Sequence, residues 1–195
     1  MGEIWVHNSN NKLLIIEHLG MEDYIRGVLP FEIGPINNRT LEAAKAQAVA
    51  ARTYALNHVI TPLSIHFDLY SDTRSQVFKG YVPHPISDSA VWQTRGQSLW
   101  HGIKPAQTFF HSTAGTHLAA IHEAWGKEQI PYLISKTDLR PDGLAWDYPS
   151  PWTNWKRKIP FKQMKSNFKK YSNKPYHAEY KTRTFYIYNI LFIYI

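Results

Sequence analysis

One glutamate, Glu32, has the surroundings in this sequence that best suit proton-transfer chemistry. It stands in the stretch 27–35, Gly-Val-Leu-Pro-Phe-Glu-Ile-Gly-Pro, between Pro30 and Pro35 and beside apolar side chains. We expect a stiff loop here, and an apolar site disfavours the charged carboxylate and so raises its proton affinity. The sequence therefore predicts a single general acid at Glu32, against the alternative of an ordinary solvated loop glutamate.

Two cations, Lys45 and Arg52, lie seven residues apart in the stretch that follows. At about 100° per residue they share one stripe of a helix with aliphatic side chains, while small apolar residues fill the opposite arc. A helix without a wet face is expected to be buried, and both cations would then need anionic partners. The alternative is an exposed stripe on which Glu42 pairs with Lys45 at i,i+3.

The elements that must position these residues are a mixture of helices and strands. The stretch 41–57 contains seven Ala and no Gly or Pro, and Thr40 is a suitable N-cap, so a long helix is predicted there. We predict the class α+β, with a mixed or antiparallel sheet packed on this long Ala-rich helix. The other predicted elements are a strand at 13–19, a short helix or turn at 21–28 that ends before Pro30, a helix at 88–94 and a hairpin around His101–Gly102.

Composition limits the class of protein. The 195 residues, 44% of them hydrophobic, suffice for one globular domain. The absence of Cys excludes disulfides and thiolate zinc sites. No apolar run reaches the roughly 20 residues that a membrane-spanning helix needs, so we predict no transmembrane segment. The start of the sequence lacks a basic segment followed by an apolar run, and we expect no signal peptide within it.

The net charge of +7 is distributed unevenly along the chain. Residues 1–151 carry 12 Lys and Arg against 14 Asp and Glu, whereas residues 152–195 carry 10 against 1. We therefore predict a domain over 1–151 and a basic C-terminal extension over 152–195. The extension is either a solvated face or a surface for an anionic polymer. Because no nucleic-acid-binding module motif is present, we predict no nucleic-acid partner.

Ordered blocks between about residues 20 and 155 resemble the SpoIID/LytB domain of sporulation protein D. Their order along the chain makes the resemblance specific, since a chance match would not preserve it. The blocks are Glu22–Glu32, Leu41–Ala55, Asp72–Gly80, Ala90–Leu99, Phe110–Gly115, Ala124–Gly126 and Pro131–Leu133.

The resemblance implies a single SpoIID-like domain with a substrate cleft and a lytic transglycosylase activity. Such an enzyme cleaves the β-1,4 bond between N-acetylmuramic acid and N-acetylglucosamine in peptide-stripped peptidoglycan and leaves a 1,6-anhydro end. Glu32 matches the catalytic glutamate, and Lys45 and Arg52 match cationic positions of the cleft. Peptidoglycan as partner implies export to the cell envelope or periplasm. The alternative is a non-catalytic enhancer of an N-acetylmuramoyl-L-alanine amidase.

Other residues of the matched blocks are candidates for substrate binding. Gln76, Ser112 and Thr113 would hydrogen-bond sugar hydroxyl or acetamido groups, or else be polar groups satisfied within turns and strands. His111 would orient Glu32 or lie in the core. Some family members hold zinc with two cysteines in the loop that corresponds to 66–75, where this chain has none. We therefore predict no metal and no cofactor.

Overall fold

The computed structural model describes residues 2–9, 11–153, 156–160 and 184–188. Most of the predicted basic extension at 152–195 lies outside these residues. The chain falls into two compact units, the first ending at Phe110 and the second beginning at His111. The predicted boundary near residue 152 stays a prediction. No helix within the described ranges combines the length and hydrophobicity that crossing a membrane requires.

The first unit contains the three longer helices and two hairpins. In chain order its elements are β1 (Glu3–Ser9), β2 (Lys12–His18), α1 (Met21–Glu32), a 3-10 turn (Asn38–Thr40), α2 (Leu41–Ile60), α3 (Pro85–Gln93), β3 (Trp100–His101) and β4 (Lys104–Pro105). The helix α2 begins where the sequence predicted a helix and runs three residues further.

The helix α1 does not end before Pro30, and the prediction that it would was wrong. Pro30 lies inside α1, which continues to Glu32, and the Ile33 N–H then donates to the Leu29 carbonyl. A proline removes one backbone donor, but only two further helical residues follow it here, so the interruption costs little. Glu32 is consequently the last residue of a helix and not a loop residue.

The core of the first unit lies where α1, α2 and α3 meet. Small side chains on α2 allow the larger aliphatic side chains of α1 to approach closely. The fully or almost fully buried members of the cluster are Ile25, Val28, Leu29, Ala44, Ala48, Ala51, Ala90 and Val91. Burial of aliphatic side chains of this size stabilises a fold by roughly 1.5–3 kcal/mol each.

The segment at 76–79, which belongs to no helix or strand, lies against α1, and Gly27 makes this possible. A Cβ built at Gly27 would come within 2.2 Å of the Phe78 ring, which itself stacks on Tyr24 at 5.6 Å between centroids. The Lys79 N–H donates to the Gly27 carbonyl at 3.4 Å. The absence of a side chain at Gly27 therefore fixes the segment that meets the end of α1.

The fold class is α+β, as predicted, but the described strands do not form one sheet packed on α2. They form four separate two-stranded antiparallel pairs: β1 with β2, β3 with β4, β5 with β6, and β7 with β8. In the first hairpin Trp5 lies opposite Ile16 and Val6 opposite Ile15. The helices, and not a sheet, provide the core of the first unit.

The second unit consists of short elements held together by turns. They are β5 (His117–Leu118), α4 (Ile121–Trp125), β6 (Lys136–Thr137), β7 (Lys156–Pro160) and β8 (Thr184–Tyr188). The predicted hairpin around His101–Gly102 in the first unit is present, but only as the two-residue strands β3 and β4. The helix predicted at 88–94 begins earlier, at Pro85, because the His84 side chain accepts the Ser87 N–H as a cap.

Candidate functional site

Glu32 is half-buried at the end of α1, and its carboxylate is oriented by the neighbouring segment. Its Oε1 accepts a short hydrogen bond from the Val77 N–H. Burial raises the pKa of Glu32 above its ordinary value, and the hydrogen bond from Val77 only partly offsets this. Among the described residues, Oε2 accepts no hydrogen bond. One carboxylate oxygen is thus anchored by the backbone of the neighbouring segment.

Two tyrosines, Tyr24 and Tyr54, lie close enough to Glu32 for an electrostatic interaction with its carboxylate. Burial, followed by the charges of Tyr54 and Glu32, raises the pKa of Tyr24. Burial also raises the pKa of Tyr54, with a further rise from Glu32 and a partial offset by a hydrogen bond with Ser75. Both phenols therefore stay protonated near neutrality and add no negative charge beside Glu32.

Gln76 is fully buried and holds Tyr24 in place. The Tyr24 hydroxyl donates to Gln76 Oε1 at 3.0 Å, and Gln76 Nε2 donates to the Ala51 carbonyl of α2 at 3.4 Å. The amide thereby links α1 to α2. Its predicted contact with substrate stays a prediction, and the geometry gives it an internal role next to Glu32.

Lys45 forms the i,i+3 pair that the sequence offered as an alternative. Its Nζ lies 2.7 Å from Glu42 Oε1, and the Glu42 side chain is 82% exposed. An exposed pair of this kind contributes at most about 1 kcal/mol and exchanges readily for another anion. Lys45 is therefore a cation with a weak and replaceable partner.

Arg52 is buried, with 3% of its surface exposed, and its guanidinium has internal partners. Nε and Nη2 donate to the two carboxylate oxygens of Glu22 at 3.0 and 2.8 Å, and Nη1 donates to the Gln97 carbonyl at 2.9 Å. Glu22 also accepts the Gly96 N–H at 3.1 Å. The buried cation thus has the anionic partner that the sequence required, and this partner is part of the protein. Its predicted contact with substrate stays a prediction.

The remaining predicted residues, His111, Ser112 and Thr113, belong to the second unit. Thr113 is buried, and its hydroxyl lies 3.2 Å from that of Ser150, while Ser112 is exposed. Both ring nitrogens of His111 are buried without a hydrogen-bond partner of good geometry among the described residues. Burial lowers the pKa of His111, which the nearby Thr113 backbone only partly offsets, so the neutral imidazole is favoured.

Asp147 fixes the loop that carries these three residues. Its Oδ2 accepts the N–H groups of Ala114 and Gly115 at 2.6 and 2.8 Å, and its Oδ1 accepts the Thr153 hydroxyl at 3.0 Å. Gly115 has a φ of +70°, a left-handed conformation that favours glycine. The Asp147 carboxylate therefore satisfies two backbone N–H groups of a loop that has no regular secondary structure.

A cavity of about 580 Å³ opens in the first unit, away from Glu32. It is bordered by α3 and by α1 as far as Arg26, whereas Glu32 ends α1 six residues later, roughly 9 Å along the helix axis. Its wall includes Glu22, the partner of Arg52, and the exposed side chain of Trp92. The prediction of a substrate cleft at Glu32 stays a prediction.

Sequence reasoning missed Tyr24, Tyr54 and Val77 as neighbours of Glu32. Tyr24 and Glu32 are eight residues apart and share a face only if the helix continues through Pro30, which the sequence argument had excluded. The described residues contain no group of three or more His, Asp or Glu placed to hold a metal ion. The prediction that the chain binds no metal stays a prediction.

Comparison with known proteins matches residues 9–101 to the SpoIID family, described as stage II sporulation protein. An uncharacterised protein of Brachyspira hyodysenteriae is 33% identical over 74% of this chain and 38% of its own length. The amidase enhancer of Bacillus subtilis is 34% identical over 63% of this chain and 16% of its own length. Stage II sporulation protein D of Bacillus subtilis is 29% identical over 70% of this chain and 42% of its own length. The chain thus spans less than half the length of these relatives.

Proposed function

The chain belongs to the SpoIID family through its domain at residues 9–101, and from this membership we propose that it acts on the bacterial cell wall as a lytic transglycosylase. The proposed substrate is the peptide-stripped glycan strand of peptidoglycan, cleaved between N-acetylmuramic acid and N-acetylglucosamine. Because this polymer lies outside the cytoplasm, the proposal includes export of the protein to the cell envelope.

The observation that carries the proposal is the environment of Glu32. Its pKa is raised by burial, one carboxylate oxygen is anchored by the Val77 N–H, and the flanking phenols of Tyr24 and Tyr54 are held neutral. A general acid works best when its pKa approaches the working pH, which is the direction of this shift.

The reaction needs only one carboxyl group. Glu32 donates its proton to the glycosidic oxygen, and the bond from that oxygen to the muramyl C1 breaks. The resulting carboxylate accepts the proton of the muramyl C6 hydroxyl, whose oxygen bonds to C1 and closes the 1,6-anhydro ring. Ordinary glycosidases use a second carboxyl group to attack or to activate water. Here an internal hydroxyl, already held in place, replaces it.

The two cations are assigned different roles in this proposal. Lys45 is proposed to bind the lactyl carboxylate of the substrate, because its exposed partner Glu42 dissociates at little cost. Arg52 would have to leave Glu22 and the Gln97 carbonyl before binding a ligand. We therefore assign Arg52 chiefly to positioning α1. An Arg52→Ala protein that bound stripped glycan normally would exclude a direct contact with substrate.

The polar residues of the matched blocks also divide by exposure. Gln76 is buried and is proposed to position Tyr24 beside Glu32. Ser112 presents an exposed hydroxyl and is proposed to hydrogen-bond the glycan, while Thr113 supports it from within the loop. The imidazole of His111 is proposed to be uncharged, since burial lowers its pKa.

A second function is supported by the relative named amidase enhancer, which is 34% identical over 63% of this chain. In this alternative the protein binds peptidoglycan without cleaving it and stimulates an N-acetylmuramoyl-L-alanine amidase. Glu32 would then contribute to binding and not to chemistry.

One experiment separates the two functions. Purified protein is incubated with amidase-stripped glycan, and 1,6-anhydro products are quantified by mass spectrometry. Lytic cleavage predicts product formation that falls by about 10²–10⁴-fold in Glu32→Gln. Glu17→Gln, which changes an exposed carboxylate of β2, serves as the matched control and should retain activity. No product from the unmodified protein, together with faster release of peptides when an amidase is added, would favour the enhancer.

A further inference from the structure

The cavity between the start of α1 and α3 has the composition of a saccharide site. Its volume of about 580 Å³ lies in the range of small-ligand pockets. Trp92 stands in its wall with 70% of its surface exposed, whereas its neighbour Val91 is buried in the helical core. An exposed indole on a rigid helix offers a flat apolar face whose negative π surface attracts the C–H groups of a sugar ring.

The carboxylates in the cavity wall are all held by guanidinium groups. Glu22 is bound by Arg52, and Asp88 accepts Arg26 Nε at 3.0 Å. Asp23 lies 3.5 Å from Nη1 of the same Arg26. These ion pairs stiffen the floor of the cavity and leave oxygen atoms that can accept hydrogen bonds from sugar hydroxyl groups.

Arg95 differs from the other cations of the cavity. Within the described ranges its guanidinium has no carboxylate partner, and it lies 5.6 Å from the centre of the Trp92 ring. The cavity wall contains three carboxylates and the two guanidinium groups of Arg26 and Arg95. The third guanidinium group, that of Arg52, is paired with Glu22, so the net charge is zero. An anionic substituent is therefore attracted locally, by Arg95 beside the indole.

We propose that this cavity binds a sugar ring that carries a carboxylate, with the ring stacked on Trp92 and the carboxylate paired with Arg95. The choice of a muramyl sugar as probe rests on the proposed function, but the site is separate from Glu32. Glu32 is not among the residues that line the cavity, and Arg26, the lining residue nearest to it along α1, precedes it by six residues, roughly 9 Å along the helix axis. The site holds a glycan strand at a second point and takes no part in bond cleavage.

The proposal is tested with N-acetylmuramic acid and N-acetylglucosamine, which differ by the lactyl carboxylate. Titrations of the full chain are followed by NMR on the Trp92 indole N–H and the Arg95 Nε–H, which locate binding at this cavity. We expect Kd to be lower for N-acetylmuramic acid by about fivefold, the ratio given by an exposed ion pair. Lactate alone should bind more weakly than either sugar, because it lacks the ring.

Two substitutions assign the two halves of the site. In Trp92→Ala, binding is followed by the NMR signal of the Arg95 Nε–H, and the Kd of both sugars should rise by about tenfold. In Arg95→Gln, binding is followed by the NMR signal of the Trp92 indole N–H. This variant should lose the preference for N-acetylmuramic acid, while its Kd for N-acetylglucosamine stays unchanged. Both side chains are exposed, and circular dichroism checks that the variants fold. Trp100→Ala, at another exposed tryptophan of the first unit, should leave both affinities unchanged.

The result that overturns the proposal is N-acetylmuramic acid binding that leaves the Trp92 and Arg95 signals unmoved, or a preference that survives Arg95→Gln. Glu32→Gln should bind both sugars at this cavity as the unmodified protein does. A protein that binds N-acetylmuramic acid here but forms no anhydro product retains the site and loses the proposed activity. A protein that forms anhydro product but does not bind N-acetylmuramic acid at Trp92 retains the proposed activity and lacks the site.

Discussion

At the scale of single residues, the chemistry of Glu32 depends on a balance between burial and one hydrogen bond. Burial raises the pKa of the carboxyl group, and the Val77 N–H stabilises the charged form. Burial is the larger effect, so the carboxyl group binds its proton more tightly in the folded protein than in the unfolded chain. Tyr24 and Tyr54 add polarity without adding charge.

The raised pKa of Glu32 predicts a pH-dependent effect of Glu32→Gln on stability. Because folding favours the protonated carboxyl group, its contribution is fully present below the ordinary pKa of 4.5 and is lost as the pH rises through the folded-state pKa. The glutamine variant should therefore match the unmodified protein in urea unfolding at about pH 4 and be more stable at neutral pH. Equal stability of the two proteins at both pH values would contradict the raised pKa.

The buried pair of Arg52 and Glu22 predicts a large loss of stability when it is broken. Glu22→Gln leaves the guanidinium of Arg52 buried with weaker acceptors and should lower the free energy of unfolding by about 3 kcal/mol. The matched control is Glu42→Gln, which removes the exposed partner of Lys45 and should cost less than about 1 kcal/mol. Chemical denaturation measures both. Similar losses in the two variants would show that burial of Arg52 does not govern the pair.

At the scale of elements, the candidate site depends on how α1 meets the segment 76–79. Gly27 lets the Phe78 ring lie against the helix, and this contact places Gln76 at Tyr24 and the Val77 N–H at Glu32. The environment of Glu32 is therefore a consequence of packing between two segments about 45 residues apart in the chain.

This packing predicts that Gly27→Ala is destabilising although alanine favours helices. The added Cβ would meet Phe78 at 2.2 Å, and the ring is held by its stacking on Tyr24. Overpacking of this kind costs about 1–3 kcal/mol, which exceeds the gain of up to about 1 kcal/mol in helix propensity. Thermal unfolding should show a lower Tm. Gly34→Ala, where no atom lies within 4 Å of the added Cβ, is the control.

In the second unit, we predict that the hydrogen bonds accepted by Asp147 keep the loop at 111–115 ordered. Asp147→Asn keeps the size of the side chain but replaces charge-assisted bonds from Ala114 and Gly115 by weaker ones. We expect hydrogen exchange at these two amides to accelerate by about tenfold, equivalent to about 1.4 kcal/mol. Asp142→Asn, at an exposed pair with Arg140, should leave them unchanged. Unaltered exchange in Asp147→Asn would show that the loop is held by other contacts.

At the scale of the whole molecule, charge and chemistry occupy different parts of the chain. Residues 1–151 are nearly balanced in charge and contain every residue predicted for catalysis or substrate binding, whereas residues 152–195 carry 10 of the 22 Lys and Arg. Screening by salt acts mainly on exposed charges, and so on the basic extension more than on a half-buried carboxyl group.

This separation predicts different salt dependences for two assays of the full chain. Cleavage of stripped glycan should change by less than about threefold between 50 and 200 mM salt, whereas any affinity for duplex DNA should fall by about 10³-fold. A steep loss of cleavage over the same range would instead place the basic extension in substrate binding.

The sequence by itself indicated the resemblance to the SpoIID family, the α+β class and the candidate carboxylate, Glu32. The ordered blocks are local patterns, and the uninterrupted helix propensity of the Ala-rich stretch after Thr40 was enough to predict α2. The sequence also required an anionic partner for Arg52, since a buried charge is costly when unpaired.

Only the tertiary structure decided which residues surround Glu32 and which carboxylate pairs with Arg52. Val77 is 45 residues from Glu32, and Glu22 is 30 residues from Arg52. Such contacts depend on how α1, α2 and the segment at 76–79 pack, which local propensity does not encode. The continuation of α1 through Pro30 had the same origin, because burial of Ile25, Val28 and Leu29 against α2 outweighs the donor that proline lacks.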